Sequence, residues 1–238
     1  MKDTLRIILT AWATLLLSAA LFPAWSQESG DPPSALQEQT EEQQQTVAGC
    51  VMLDPGHGGQ DQGALMTGGI VEKDAVLTFS RTLAGLLSPG LCVQKTRDSD
   101  FGPSLSDRAG AANHARAVLF LCIHAGVGWA AESDRIILYL DAPPGPDSGQ
   151  SPWEQLQVPH RERSRRFAEA ACRALADVRG ALSCEVRELP LPVLAGADMP
   201  AVLVDLPLSL FSKSRVADRT AVANALAESV KKFLEPAE

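Results

Sequence analysis

Two histidines and two carboxylates stand where apolar runs of this chain give way to polar ones. His57 lies inside LDPGHGG (53–59), Glu72 follows the loop QDQGALMTGGIV, His124 ends the run AVLFLCIHA, and Asp205 closes AVLVD. Two neutral imidazoles and one carboxylate fill three positions of a tetrahedral zinc ion and leave the fourth open, the donor set of a hydrolytic zinc centre. Thiolates would point to a structural zinc site, and an all-oxygen set to magnesium or calcium. A zinc ion so held lowers the pKa of its water toward about 7. A second carboxylate that is not a ligand can take that water's proton and pass it to a leaving amine; Asp205 is the candidate. The glycines around His57 keep a bound metal accessible and let a substrate backbone come close.

Each residue also has a plainer reading. A histidine in a glycine-rich turn can be a turn residue and nothing more. One that ends a buried strand can be a hydrogen-bonded structural histidine. Glu72 at a helix start favours the helix dipole, and Asp205 can cap the segment after its strand. Their joint placement is what separates the two readings.

That placement comes from the elements. CVMLD (50–54), LCVQKT (91–96), AVLFLCIHA (117–125), RIILYLD (135–141) and AVLVDL (201–206) read as strands. KDAVLTFSRTLAGLLS (73–88), SLSDRAGAANHA (104–115), HRERSRRFAEAACRALADV (160–178) and SRVADRTAVANALAESVKKFL (214–234) read as helices, with Ser104 an N-cap and Asp107 three residues on. Alternation of this kind gives an α/β fold: a single domain with a mostly parallel central sheet flanked by helices. Ligands of such sheets gather beyond the carboxyl ends of the strands. Asp54, His57, His124 and Asp205 all fall there, and Glu72 opens the first long helix.

The ends of the chain and its charge narrow the function further. MKDTLR supplies two positive charges, IILTAWATLLLSAALF a short apolar run, and PAWSQ small residues at Ala24 and Ser26, the layout of a secretory signal peptide over 1–26. An uncleaved anchor would want a longer apolar run. Residues 27–47 are rich in Gln and Glu and read as a linker, which leaves a folded domain over 48–238. A net charge of −8 argues against a nucleic-acid footprint. Nothing after the signal peptide calls for a membrane. Of the five cysteines, Cys50, Cys92 and Cys122 sit in apolar strands and read as small buried hydrophobes; Cys172 and Cys184 are the candidates for a bridge.

The blocks VMLDPGHGGQDQGA, GGIVEKDAVL, KTRDSD, LSDRAGAANHARAVLFLCIHA and MPAVLVDLPLS, in that order, resemble the zinc-dependent N-acetylmuramoyl-L-alanine amidases. The resemblance covers essentially the whole folded part. It implies zinc (Zn2+) held by His57, Glu72 and His124, and hydrolysis of the amide between N-acetylmuramic acid and the L-alanine of the peptide stem. It implies peptidoglycan or muropeptides as partners and an exported protein, periplasmic or extracellular. This chain departs from the family pattern in three places. Asp205 stands where the family carries a catalytic glutamate, Leu206–Pro207 where Gly–Phe is usual, and CIHAG where SIHAN is usual. The short, Pro-rich DAPPGPDSGQSPWEQLQVP stands where activator-controlled members carry a blocking helix, which argues against a protein activator. The changed carboxylate leaves open a non-catalytic relative that binds zinc or cell wall as a scaffold or regulatory module.

Overall fold

The run VMLDP becomes strand β1 (Val51–Pro55), buried at every position because both of its faces are covered. It belongs to a computed structural model that describes residues 49–65, 69–126, 134–142, 151–178 and 183–236. The chain divides into two compact units, Met1–Gln45 and Thr46–Glu238, and every described residue lies in the second. The expected signal peptide and linker both lie outside the described residues.

After β1 come α1 (Glu72–Leu87), β2 (Val93–Lys95), α2 (Leu105–His114), β3 (Leu119–Ala125), β4 (Arg135–Asp141), α3 (Arg161–Ala176), β5 (Ser183–Leu189), the single turn α4 (Pro192–Ala195), β6 (Ala201–Leu206) and α5 (Val216–Leu234). The six strands stand in the order β2-β1-β3-β6-β4-β5. The first four run parallel; β4 is antiparallel to β6 and parallel to β5. The carboxyl ends of β1, β3 and β6 therefore share one rim, and those of β4 and β5 lie at the other. The expected mostly parallel α/β sheet is the observed one.

Alternation along the strands sorts the core into two layers. Val51 and Leu53, Leu119, Leu121 and Ile123, and Val202 and Val204 pack with α1, α3 and α5. Met52, Phe120, Cys122 and Leu203 pack on the other face with Ala112 of α2 and Val193 and Leu194 of α4. Helix α1 forms because Ala75, Val76, Phe79, Leu83 and Leu87 make one buried stripe at helical spacing; Pro89 and Gly90 follow its end. Helix α2 starts where expected: the Ser104 hydroxyl accepts the Asp107 N–H, and the Asp107 carboxylate accepts the Ser104 N–H.

Two features differ from the sequence reading. Strand β5, SCEVREL, has no apolar run, because it is a half-exposed edge; it is a strand only by its pairing with β4. Cys50 and Cys92 are not free core thiols but a disulfide, with Cα atoms 4.5 Å apart. The reason is register: β1 and β2 are parallel neighbours paired Val51↔Val93, so the residues before them lie side by side. Cys172 and Cys184 form the second bridge, and Cys122 is a buried free thiol, both as expected.

The native protein should therefore show no reactive thiol, and one, Cys122, on denaturation without reductant. A thiol titration that finds three would remove the Cys50–Cys92 bridge. Breaking that bridge by Cys50→Ser, Cys92→Ser should cost on the order of 2–4 kcal/mol in denaturant unfolding.

Candidate metal centre

Beyond β1 the chain must turn sharply to bring a side chain over the sheet rim. The Gly56 N–H holds on to β3 through the Ile123 carbonyl at 2.9 Å, and His57 takes a left-handed backbone, φ 60°. A histidine tolerates that conformation at some cost, so something must enforce it. Two buried arginines do. Arg97 donates to the carbonyls of Pro55 at 2.8 Å, Gly56 at 2.7 Å and Lys73 at 2.8 Å. Arg108, from α2, donates to those of Pro55 at 3.0 Å and His57 at 2.8 Å. Burial, and then repulsion from Arg108, draw the Arg97 pKa below its ordinary value.

The counter-charge is Asp54, wholly buried within β1. Its Oδ1 accepts from Arg108 at 2.7 Å and from the Thr96 hydroxyl; its Oδ2 accepts from the Cys122 thiol at 2.9 Å. Burial, reinforced by the Asp54 charge, pushes that thiol far above its ordinary pKa, so Cys122 stays protonated and donates. Asp54, one of the polar residues expected at the rim, thus braces the turn rather than joining the cluster.

The cluster itself is His57, Glu72 and His124: one ligand-capable atom from each lies within 4.8 Å of the others. Glu72 is the first residue of α1 and almost wholly buried. Its Oε1 accepts the Ala125 N–H at 2.8 Å and lies 3.0 Å from His124 Nδ1. Its Oε2 accepts the Ala64 N–H at 2.8 Å and lies 3.0 Å from His57 Nε2. The two rings meet edge to face, centroids 4.7 Å apart. Glycines make this crowding feasible. A Cβ on Gly56 would come within 2.4 Å of the His124 ring, and one on Gly63 within 2.6 Å of both Glu72 Oε2 and the His57 ring.

The electrostatics of the cluster are set by the carboxylate between the two rings. Burial alone would raise the Glu72 pKa, but its contacts with His124, His57 and two backbone N–H groups outweigh that and hold it well below the carboxylate range. Burial would lower that of His57, yet Glu72 and Asp61 carry it upward. The remote nitrogen of His57, Nδ1, lies 2.8 Å from Asp61 Oδ2. Its Nε2 is buried, close to Glu72, and in no hydrogen-bond geometry. A neutral His57 whose Nδ1–H donates a hydrogen bond to Asp61 turns a lone pair from Nε2 onto a carboxylate oxygen. Two converging lone pairs repel unless a cation lies between them. The donor set, two imidazoles and a carboxylate, fits zinc.

Asp205 lies next to the cluster, in β6, paired in register with His124 across parallel strands, so the two side chains leave the same face of the sheet. It is fully buried. Glu185 and Glu188, the other acids ahead of β6, sit on the edge strand β5 and pair with arginines: Glu185 with Arg135 and Arg187, Glu188 with Arg161 and Arg165. They do not join the cluster. The sequence reading missed Arg97, Arg108 and Asp61. Asp54 was the available signal for the arginines, since a carboxylate inside a fully buried strand requires a cation.

The chain is similar to several known proteins. The sequence profile described as N-acetylmuramoyl-L-alanine amidase matches residues 51–235. The endolysin of Bacillus phage SPP1 is 32% identical over 157 residues, 65% of this chain and 53% of that protein. The amidase AmiC of Neisseria meningitidis is 42% identical over 76 residues, 32% of this chain and 18% of AmiC. The chain thus spans about half the length of the first of these relatives and less of the second. Among solved structures, the catalytic domain of the amidase CwlV from Bacillus (Paenibacillus) polymyxa var. colistinus superposes with a TM-score of 0.63 at 24% identity, covering 78% of this chain and 97% of that one. AmiC2 of Nostoc punctiforme gives 0.61 at 24% identity, with 79% and 97% covered.

If Asp54 is the counter-ion of the turn, Asp54→Ala strands Arg108 in the interior and should cost about 3–5 kcal/mol in denaturant unfolding. Removing the exposed partner of the Arg81–Asp98 pair by Asp98→Ala should cost under about 1 kcal/mol. Equal losses would show that the buried pair has no special place.

Proposed function

The chain belongs to the N-acetylmuramoyl-L-alanine amidase family, and from that membership and its metal-ligand cluster we propose that it is a zinc-dependent hydrolase of the amide between N-acetylmuramic acid and L-alanine in peptidoglycan. The observation that carries this reading is the convergence of His57, Glu72 and His124 within 4.8 Å at one sheet rim. These three would hold the ion, which when bound supplies Lewis acidity and a water of lowered pKa. The chain's own part is orientation and proton transfer. Backbone N–H groups of Ala64 and Ala125 fix both oxygens of Glu72. Asp205 is the general base and acid: it takes the proton of the attacking water and returns it to the leaving amine nitrogen. Its register beside His124 supports that role.

Asp205 has one methylene fewer than the glutamate of the family pattern, and a misplacement of about 1 Å can cost on the order of a hundredfold in rate. We therefore assign an impaired amidase. The full burial of Asp205, against His57 and His124 that are only partly buried, favours one alternative, a zinc- or peptidoglycan-binding relative without catalysis. The signal-peptide layout of 1–26 makes the protein exported, and its two disulfides accord with an oxidising compartment. Among the described residues no helix is long and apolar enough to cross a membrane.

Zymography on purified peptidoglycan, with and without chelator, separates the two readings. Asp205→Ala should abolish cleavage while zinc stays bound, and Asp205→Glu should preserve or raise the rate. Zinc-loaded protein that cleaves nothing, and is not rescued by Asp205→Glu, would support the non-catalytic alternative.

Protons compete with zinc for the histidines. The His57 pKa is raised above its ordinary 6.5, so zinc affinity should fall as pH drops through that raised value, starting above 6.5. Affinity that is flat from pH 8 to 5.5 in a competitive chelator titration would exclude His57 as a ligand.

A further inference from the structure

We infer that Asp61 is a positioning residue for the metal: it holds His57 in the tautomer that leaves Nε2 free to bind. The inference rests on the reading of His57 as a ligand.

The two histidines present different nitrogens to the cluster. His124 faces Glu72 with Nδ1, and His57 with Nε2. A neutral imidazole side chain in water prefers its proton on Nε2. That preference suits His124, whose ligand atom is Nδ1. It is the wrong one for His57, whose proton must sit on Nδ1 for Nε2 to have a lone pair. A carboxylate at Nδ1 corrects this, since the hydrogen bond made by one ring nitrogen decides the role of the other.

Asp61 is built to stay there. Its backbone pairs with Gly58 in both directions, N–H to O at 2.9 and 3.1 Å. Its Oδ1 accepts the Gly63 N–H at 3.1 Å while Oδ2 faces His57 at 2.8 Å. Rotating the carboxylate would lose both contacts. The Asp61 side chain is 67% exposed, and an exposed pair of this kind adds little to folding stability. What it contributes is the direction of the ring.

The test uses the full chain at pH 8. Nitrogen-15 spectra of the metal-free protein should show the His57 proton on Nδ1 in the wild type and moved toward Nε2 in Asp61→Ala. The zinc dissociation constant, from competition with a chromophoric chelator, should rise about 10–100-fold in Asp61→Ala and by less in Asp61→Asn, which keeps an acceptor oxygen. Asp74→Asn removes an exposed charge from the first turn of α1, two residues from Glu72, and should change affinity less than twofold. An unchanged tautomer, an unchanged dissociation constant, or an equal loss in Asp74→Asn would each overturn the inference. A wild type that binds no zinc overturns the ligand reading itself. A wild type that binds zinc and cleaves, beside an Asp61→Ala with the same affinity, overturns only the role of Asp61.

Discussion

The buried pair of Arg108 and Asp54 is the interaction on which the rim depends. A charged pair in an interior gains little over apolar packing, because desolvation consumes most of the attraction. Here the pair acts through what else it touches. Arg108 spends its remaining donors on the carbonyls of Pro55 and His57, and Arg97 spends its own on Pro55, Gly56 and Lys73. Three successive carbonyls of the turn thereby lose their freedom. A left-handed histidine costs on the order of 1–3 kcal/mol, and these hydrogen bonds, made inside the protein, offset it. The interior charge is tolerated because it fixes a backbone conformation that the sequence would not choose by itself.

The same logic explains what could be read from the residues alone. Strands β1, β3 and β6 were legible because each is an apolar run, and parallel strands bring their carboxyl ends to one rim. That put His57, His124 and Asp205 together, with Glu72 at the head of the next helix. Strand β5 was not legible, because an edge with charges on both faces carries no period. Nor was the Cys50–Cys92 bridge: a cysteine beside an apolar strand looks the same whether it packs or pairs, and only the register of two parallel neighbours distinguishes them. The arginines were hidden for a further reason. Apart from the Asp54 carboxylate that meets Arg108, their partners are main-chain carbonyls, which leave no mark in the sequence, and those of β1 and its turn lie 41–53 residues away.

The glycines of the turn gain a second purpose from the structure. Access for a substrate was the reason expected from LDPGHGG. The closer constraint is internal: at Gly56 and Gly63 a Cβ would overlap the histidine rings themselves. Packing two imidazoles and a carboxylate edge to edge requires that the backbone carrying them be bare. Glycine there is a condition for the cluster to exist before any substrate arrives.

Separate elements carry separate parts of the chemistry. The clamp formed by β1, Arg97 and Arg108 places His57, while β3 and the start of α1 place His124 and Glu72 through the Ala125 and Ala64 N–H groups. Asp205 comes from a third strand, β6, whose register sets it beside His124. A one-methylene change at position 205 alters the reach of the proposed base, whereas the N–H groups that orient Glu72 come from Ala64 and Ala125. On the proposed reading, different strands carry the metal ligands and the altered base, so metal binding and proton transfer have to be measured as two properties rather than inferred from each other.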